Sequence, residues 1–240
     1  MLKPADFFDL SKFRYAEIFD NCEYVWDAIG RIHGFLIRYL AGNGGSCVGA
    51  HIWPGAQIVD PEAIIIGEGT VVEAGAFIAG PAVIGKNCEI RQGAYIRGDA
   101  LIGDGCIVGH TTELKNSIML NQAGAPHFAY VGDSILGAHV NLGAGTKLSN
   151  LPVVSVKDAA TGMHPTIILQ IEGQTYDTGL GKFGAILGDH AQTGCNAVTN
   201  PGCIIGARTL VYPNVSLKKG YYPPDNIIKL RQEIEIVERR

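Results

Sequence analysis

From Ile66 onward, one position in six is aliphatic: Ile66, Val72, Ile78, Ile84, Ile90, Ile96, Ile102, Val108 and Leu114. Four places after the first eight stand Thr70, Ala76, Ala82, Cys88, Ala94, Ala100, Cys106 and Thr112, all small. Glycine directly follows the aliphatic residue at Gly67, Gly85, Gly103 and Gly109. A helix with a 3.6-residue period cannot hold this spacing, and an ordinary strand alternates every two residues and turns back. Six residues per side fits a triangular solenoid with three short strands per coil. The aliphatic residue fills the prism, the small residue faces inward at the corner, and each coil covers the apolar face of its neighbour. Cys88 and Cys106, eighteen residues apart, should stack on successive coils.

The count falters at "ELKNSIMLNQAGAPHFAYVGD", residues 113–133, and resumes with Leu136 and Leu142, whose small partners are Val140 and Thr146. It falters again from about 151 to 185, then returns with Leu187, Thr193, Thr199, Ile205, Val211 and Leu217. The pattern therefore predicts a β-helix domain over 46–222, with loops leaving the solenoid near 115–130 and 151–185. Apolar residues at helix spacing, among them Ile18, Phe19, Cys22, Val25, Trp26, Ile29, Phe35, Leu36 and Tyr39, predict a helical segment over 1–45, with Gly42 as a stop. "PPDNIIKLRQEIEIVERR" predicts a short C-terminal helix within 223–240, with Asp225 as its N-cap. Both helical pieces are expected to cover open ends or edges of the prism.

Composition narrows the function. With 47% hydrophobic and 18% charged residues, the chain should build a packed core. A net charge of −4 argues against nucleic acid, whose binders carry a basic excess. No apolar run of signal-peptide or membrane-spanning length is visible, so the cytoplasm is the expected location. The six cysteines form no CxxC pair, and three of them (Cys88, Cys106 and Cys203) occupy the small inward position, which predicts free, buried thiols rather than a zinc knuckle.

The stretch 113–133 also concentrates chemistry. His127 has an imidazole suited to general base work near neutral pH, as acetyl transfer to an amine requires. Glu113 could orient it. Arg97 and Lys115 are fixed cations able to bind a phosphate. Tyr130 and Asn141 could hydrogen-bond a sugar or a phosphate.

"AYIRGDALIGDGCIVGHTTELKNS" and "AGAPHFAYVGDSILGAHVNLGAGT" resemble the acetyltransferase domain of the bifunctional glucosamine-1-phosphate acetyltransferase/N-acetylglucosamine-1-phosphate uridylyltransferase family. The resemblance covers about residues 60–150 and resumes at "GKFGAILGDHAQTGC", 181–195. It implies a mainly β, left-handed parallel β-helix of hexapeptide repeats, acetyl-CoA as donor, a phosphorylated amino sugar as acceptor, a homotrimer, and no metal at the catalytic site. Residue by residue, it makes His127 the base and Glu113 its neighbour. Arg97, Lys115, Tyr130 and Asn141 become acceptor ligands, with Lys182 as a further lysine that reaches a neighbouring subunit. Asn150 and Cys195 fall at the donor. The departures are Leu151 in place of an aromatic after Asn150, Cys195 in place of a serine, and the insertion 151–185. A nucleotide-sugar domain does not fit in the first 45 residues, so uridylyl transfer is not expected.

Two other classes compete. The γ-class carbonic anhydrases share "AYIRGDALIGDG"-like repeats but need an H-x4-H pair, and the histidines at 33, 51, 110, 127, 139, 164 and 190 supply none. A non-enzymatic β-helix that binds a sugar nucleotide or serves as a scaffold remains the alternative, as does an acyltransferase with a different acyl donor.

Overall fold

A computed structural model describes residues 2–239. Short parallel strands wind into a three-faced solenoid, in agreement with the left-handed β-helix that the resemblance implies. One face is a nine-stranded sheet that runs from His51–Ile52 through Ile107–His110, Gly124–His127 and Asn141–Leu142 to Ile227–Ile228. The second face includes Phe77–Ala79, Tyr95–Arg97 and Lys147–Leu148, and the third includes Ala82–Ile84, Ala100–Ile102 and Cys203–Ile205.

The inward register is the one the spacing predicts. All nine aliphatic positions from Ile66 to Leu114 are buried, as are their small partners from Thr70 to Thr112. Glu89 pairs with Ile107 and its N–H donates to the Cys106 carbonyl, so Cys88 and Cys106 do lie on successive coils. Three cysteines are buried, but Cys22 and Cys47 are only half-buried and Cys195 is exposed.

The loop expected near 115–130 does not exist. Glu113–Met119, Gly124–His127 and Tyr130–Leu136 are all solenoid strands, and Leu114 pairs with Ile96 below and Val131 above. Only the count changes. Between Leu114 and Met119, and again between Val131 and Leu136, one corner residue is missing, so these coils hold seventeen residues instead of eighteen. Each strand then runs without a break from the second face to the third, which joins them into one fourteen-stranded sheet. A six-residue count misreads a shortened corner as a departure. The gap at 151–185 is a true excursion. It contains the antiparallel hairpin Ile168–Ile171 and Gln174–Asp177.

The third face also differs in what it turns outward. Val83, Leu101, Ile118, Ile135, Ile186 and Ile204, the central residues of its strands, are buried from outside. They pack under the N-terminal segment and the hairpin, which meet where Trp26 contacts Tyr176 and Phe183. The N-terminal segment is three short 3-10 turns followed by the helix Asp27–Asn43. Ala28, Ile29, Ile32, Phe35, Leu36 and Leu40 form its buried stripe. Asp27 sits favourably in its first turn, and Gly44, at φ 68°, ends it two residues beyond the expected Gly42. The helix lies along a face, not over an open end. No helix forms at the C-terminus: after the strand Ile227–Ile228, residues 229–239 are irregular, with Ile234, Ile236 and Val237 exposed. Glu233-Ile234-Glu235-Ile236 alternates with period two, which does not build an apolar helical stripe. Arg240 lies outside the described residues.

The corner position leaves no room for growth. Ala94→Leu should therefore cost about 1–3 kcal/mol, the usual price of overpacking. A urea unfolding curve with an unchanged midpoint would show that the corner has spare volume.

Candidate functional site

The second face stays uncovered, and it carries Arg97, Glu113, Lys115 and Tyr130 on successive coils. Tyr95, Glu113, Tyr130 and Lys147 stand in one register column, each directly above the last. Arg97 and Lys115 lie two residues further along their strands. His127 ends a strand of the first face, stacked on His110, at the edge where the chain turns onto the second face. Its backbone is held on both sides: its carbonyl accepts from the Gly145 N–H at 3.0 Å, and the next N–H, of Phe128, donates to the His110 carbonyl at 2.9 Å. The imidazole itself is exposed.

Glu113 is bonded to a different partner from the one the sequence expectation gave it. Glu113 does not orient His127. Its Oε1 accepts from Arg97 Nη1 at 2.6 Å. That hydrogen bond, with the charge of Glu113, raises the Arg97 pKa above its ordinary value. Arg97 also lies 5.7 Å from the Tyr95 ring centroid. Lys115 Nζ lies 3.6 Å from Asp133 Oδ2. Both expected phosphate ligands are thus matched with a carboxylate of the same chain.

Asp133 is the organising group at the far edge of the face, and the sequence reading missed it. Only 5% exposed, it accepts from Asn116 Nδ2 at 2.7 Å and from Asn150 Nδ2 at 2.5 Å. A buried carboxylate needs such donors, because losing its hydration without them costs several kcal/mol. Asn116 and Asp133 both occupy left-handed corners, at φ 41° and 49°, which asparagine and aspartate tolerate better than most residues. Their spacing of seventeen, matched by Asn150, was the available sequence signal.

Tyr130 spans the space between the edges. A Cβ on Gly132 would come within 2.6 Å of its hydroxyl and 3.0 Å of Asn150 Nδ2, so the glycine is what lets the phenol lie across the strand. Burial, followed by the charges of Glu113 and Asp133, pushes the Tyr130 pKa up, against a hydrogen bond from Asn150. The phenol therefore stays a neutral donor at physiological pH.

The remaining candidates are distributed. Asn141 is exposed on the first face, paired with Gly124 below and Gln192 above. Cys195 is exposed at the His127 edge, where its neighbour Asn196 donates its N–H to the Ala144 carbonyl at 2.8 Å. Asn150, expected to share the donor site with Cys195, stands instead at the opposite edge with Asp133. Lys182 is exposed beside Phe183, whose N–H donates to the Asn150 carbonyl at 3.0 Å, so it rejoins the solenoid at that same far edge.

Two further features went unread in the sequence. Phe128, next to His127, is 55% exposed and has φ 51°, an outlier for a bulky residue. Its ring lies 5.2 Å from His110 and 6.3 Å from His127. Above the far edge, the insertion encloses a largely apolar cleft of about 520 Å³ between Leu151, Val153, Pro165, Ile167 and Pro201. Among the described residues, no group of three or more His, Cys, Asp or Glu side chains is placed to hold a metal, and no helix is long and apolar enough to cross a membrane.

Residues 78–170 match the family model described as the GMPPB C-terminal domain. A bifunctional sugar-1-phosphate nucleotidylyltransferase/acetyltransferase of Sulfurisphaera tokodaii is 32% identical over 112 residues, covering 47% of this chain and 26% of that protein. The bifunctional protein GlmU of Methanococcus vannielii is 34% identical over 127 residues, covering 50% of this chain and 28% of that protein. The chain thus spans only about a quarter of the length of these relatives. Among solved structures, the UDP-N-acetylglucosamine acyltransferase of Francisella novicida matches at 16% identity and a TM-score of 0.37, over 71% of this chain and 62% of that one. The hexapeptide repeat and the parallel solenoid thus occur in a chain whose sequence is similar, over about half its length, to bifunctional sugar-1-phosphate nucleotidylyltransferase/acetyltransferases.

Proposed function

We propose that this chain transfers an acetyl group from acetyl-CoA to the amine of a phosphorylated amino sugar, of the glucosamine-1-phosphate kind. The observation that carries the reading is the convergence of His127, Tyr130, Glu113, Arg97 and Lys115 on one uncovered face and its edge, on consecutive coils. The relatives' names supply the acetyltransferase and sugar-phosphate parts of it.

In this reading His127 accepts a proton from the acceptor amine as its nitrogen attacks the thioester carbonyl carbon. The carbon–sulfur bond breaks, and the coenzyme A thiolate leaves to take up a proton. Tyr130 donates to the sugar from its fixed position across Gly132. Arg97 and Lys115, steadied by Glu113 and Asp133, offer oriented N–H donors, and Asn150 holds Tyr130 and Asp133 in place. The donor approaches along the edge that bears His127 and Cys195. The apolar cleft beneath the insertion favours a second reading, in which the donor carries an acyl chain longer than acetyl. A donor screen from acetyl-CoA to longer acyl-CoA thioesters separates the two.

The expected homotrimer fits the division of faces. The third face is already covered within the chain, so subunits must meet through the first and second, where Trp53, Leu210, Tyr212 and Tyr95 are exposed. Lys182 would then reach a neighbour's His127. Multi-angle light scattering should give three chains per particle, and a monomer at micromolar concentration would remove this arrangement.

His127→Ala should lower turnover with glucosamine-1-phosphate by about 10²–10⁴-fold, the usual contribution of a positioned base. Sugar affinity should change far less, because the base acts mainly in the transition state. Near-normal turnover in the variant would take His127 out of the mechanism.

Tyr130 gives a pH signature. The component of the alkaline absorbance titration lost in Tyr130→Phe should titrate above ordinary tyrosine, and Glu113→Gln should bring it down. With the folded pKa raised, the neutral phenol's contribution to stability is complete below the unfolded value of about 10 and is lost as pH climbs through the folded one. A Tyr130 component that titrates with the exposed tyrosines would contradict the burial described.

A further inference from the structure

The charges of the second face do not add up where the acceptor's phosphate was expected. Arg97 is bonded to Glu113 at 2.6 Å, and Lys115 faces Asp133 at 3.6 Å. Each pair is close to neutral. A dianion arriving at Arg97 would also meet the Glu113 carboxylate, and one at Lys115 would meet Asp133. Such pairs still donate hydrogen bonds, but they supply no net positive charge to select a phosphorylated sugar over an unphosphorylated one.

The next cation on the face has no such partner. Lys147 stands directly above Tyr130 in the register column, with Val198 above it. Among the described residues no carboxylate forms an ion pair with it. Its Nζ donates to the Gly145 carbonyl. Gly145 is the residue whose N–H holds the His127 carbonyl at 3.0 Å, so the ammonium is anchored at the His127 edge of the face. Gly145, at φ 74°, also leaves the space there: a Cβ on it would lie 3.6 Å from Lys147 Nζ and 2.5 Å from Asn196 Oδ1. An ammonium has three donors, and one is used, so two remain for a ligand. Glu113 lies two coils below, roughly 10 Å by strand spacing, which is about the Debye length at physiological salt. Its charge therefore does little to cancel that of Lys147.

We propose that Lys147 is the anion anchor of this face: it binds the phosphate of the acceptor sugar and sets the preference for phosphorylated acceptors, while Arg97 and Lys115 orient the sugar through hydrogen bonds. This rests on the amino-sugar acetyltransferase reading above. A phosphate on Lys147 would sit beside the edge where His127 presents its imidazole, with Tyr130 immediately below.

The test measures binding of glucosamine-1-phosphate and of glucosamine by calorimetry on the full chain, as the parent protein, Lys147→Met and Lys147→Arg. Lys147 is exposed, so the variants should keep the parent's circular dichroism and melting temperature. Lys147→Met should weaken the phosphorylated sugar about tenfold to a hundredfold, the range of a charge-assisted hydrogen bond, and leave glucosamine unchanged. Lys147→Arg should restore most of the affinity, and the difference should shrink at high salt. Undiminished binding of glucosamine-1-phosphate by Lys147→Met, or equal losses for both sugars, overturns the proposal. If the parent protein binds neither sugar, the acceptor reading falls instead. Inorganic phosphate then reads the anchor alone, through the ¹³C signal of reductively methylated Lys147, identified by its loss in the methionine variant. A saturable shift there upholds an anion site at Lys147, and no shift overturns it.

Discussion

The inward stack of aliphatic and small side chains is the constraint on which the rest depends. A parallel solenoid has no hairpins to set its register, so each coil is aligned only by backbone pairing and by what its inward residues meet in the coil below. Leu114 over Ile96 and Val131 over Leu114 keep that alignment through coils that are one residue short. A slip of one residue in a strand would turn Leu114 outward and Glu113 or Lys115 inward, burying an unpaired charge. The missing residue is therefore absorbed at a corner and not along a face. The corner that absorbs it carries Asn116 and Asp133 at positive φ, and this draws Asn116, Lys115 and Asn150 around one buried carboxylate. The irregularity in the repeat and the polar cluster are one event.

A second consequence is the inequality of the three faces. Apolar outward residues recur once per coil at Val83, Leu101, Ile118, Ile135, Ile186 and Ile204. Such a stripe cannot stay in water, since each aliphatic side chain gains about 1.5–3 kcal/mol on full burial. The N-terminal segment and the inserted hairpin are the chain's own cover for it. Covering one face leaves the polar second face free to be a site, on strands whose side chains are held by pairing above and below.

The six-fold count made the solenoid, its inward residues and the 151–185 excursion legible, because all three follow from local periodicity. It could not show the covered face, whose signal repeats every seventeen or eighteen residues. It also mistook the shortened coils for a loop. For the site, residue types and order were readable: His127, Tyr130, Arg97, Glu113 and Lys115 do share a face and its edge. Their partners were not. Pairing of Glu113 with Arg97, and of Asp133 with Asn150 and Lys115, is decided by which side chains meet across coils. The C-terminal helix failed for a simpler reason. Asp225 sits at φ 61°, bonded through both carboxylate oxygens to Arg208, and so does not cap a helix.

Phe128 shows how the same corner serves two ends. At the edge between the first and second faces, the equivalent left-handed positions are filled by Gly93, Thr111, Gly145, Asn196 and Asn214. Glycine and asparagine are what such a corner ordinarily selects. Phenylalanine there costs on the order of 1–3 kcal/mol, and with its ring 55% exposed, packing within the chain returns little of it. The strain is sustained because the hydrogen bonds of the adjacent coils, from Phe128 to His110 and from Gly145 to His127, fix the turn from both sides. What the strained corner achieves is placement: an aromatic ring beside an exposed imidazole, on a backbone that cannot relax. The ring, 5.2 Å from His110 and 6.3 Å from His127, is thereby held against both imidazoles at the edge where the acyl donor is proposed to arrive.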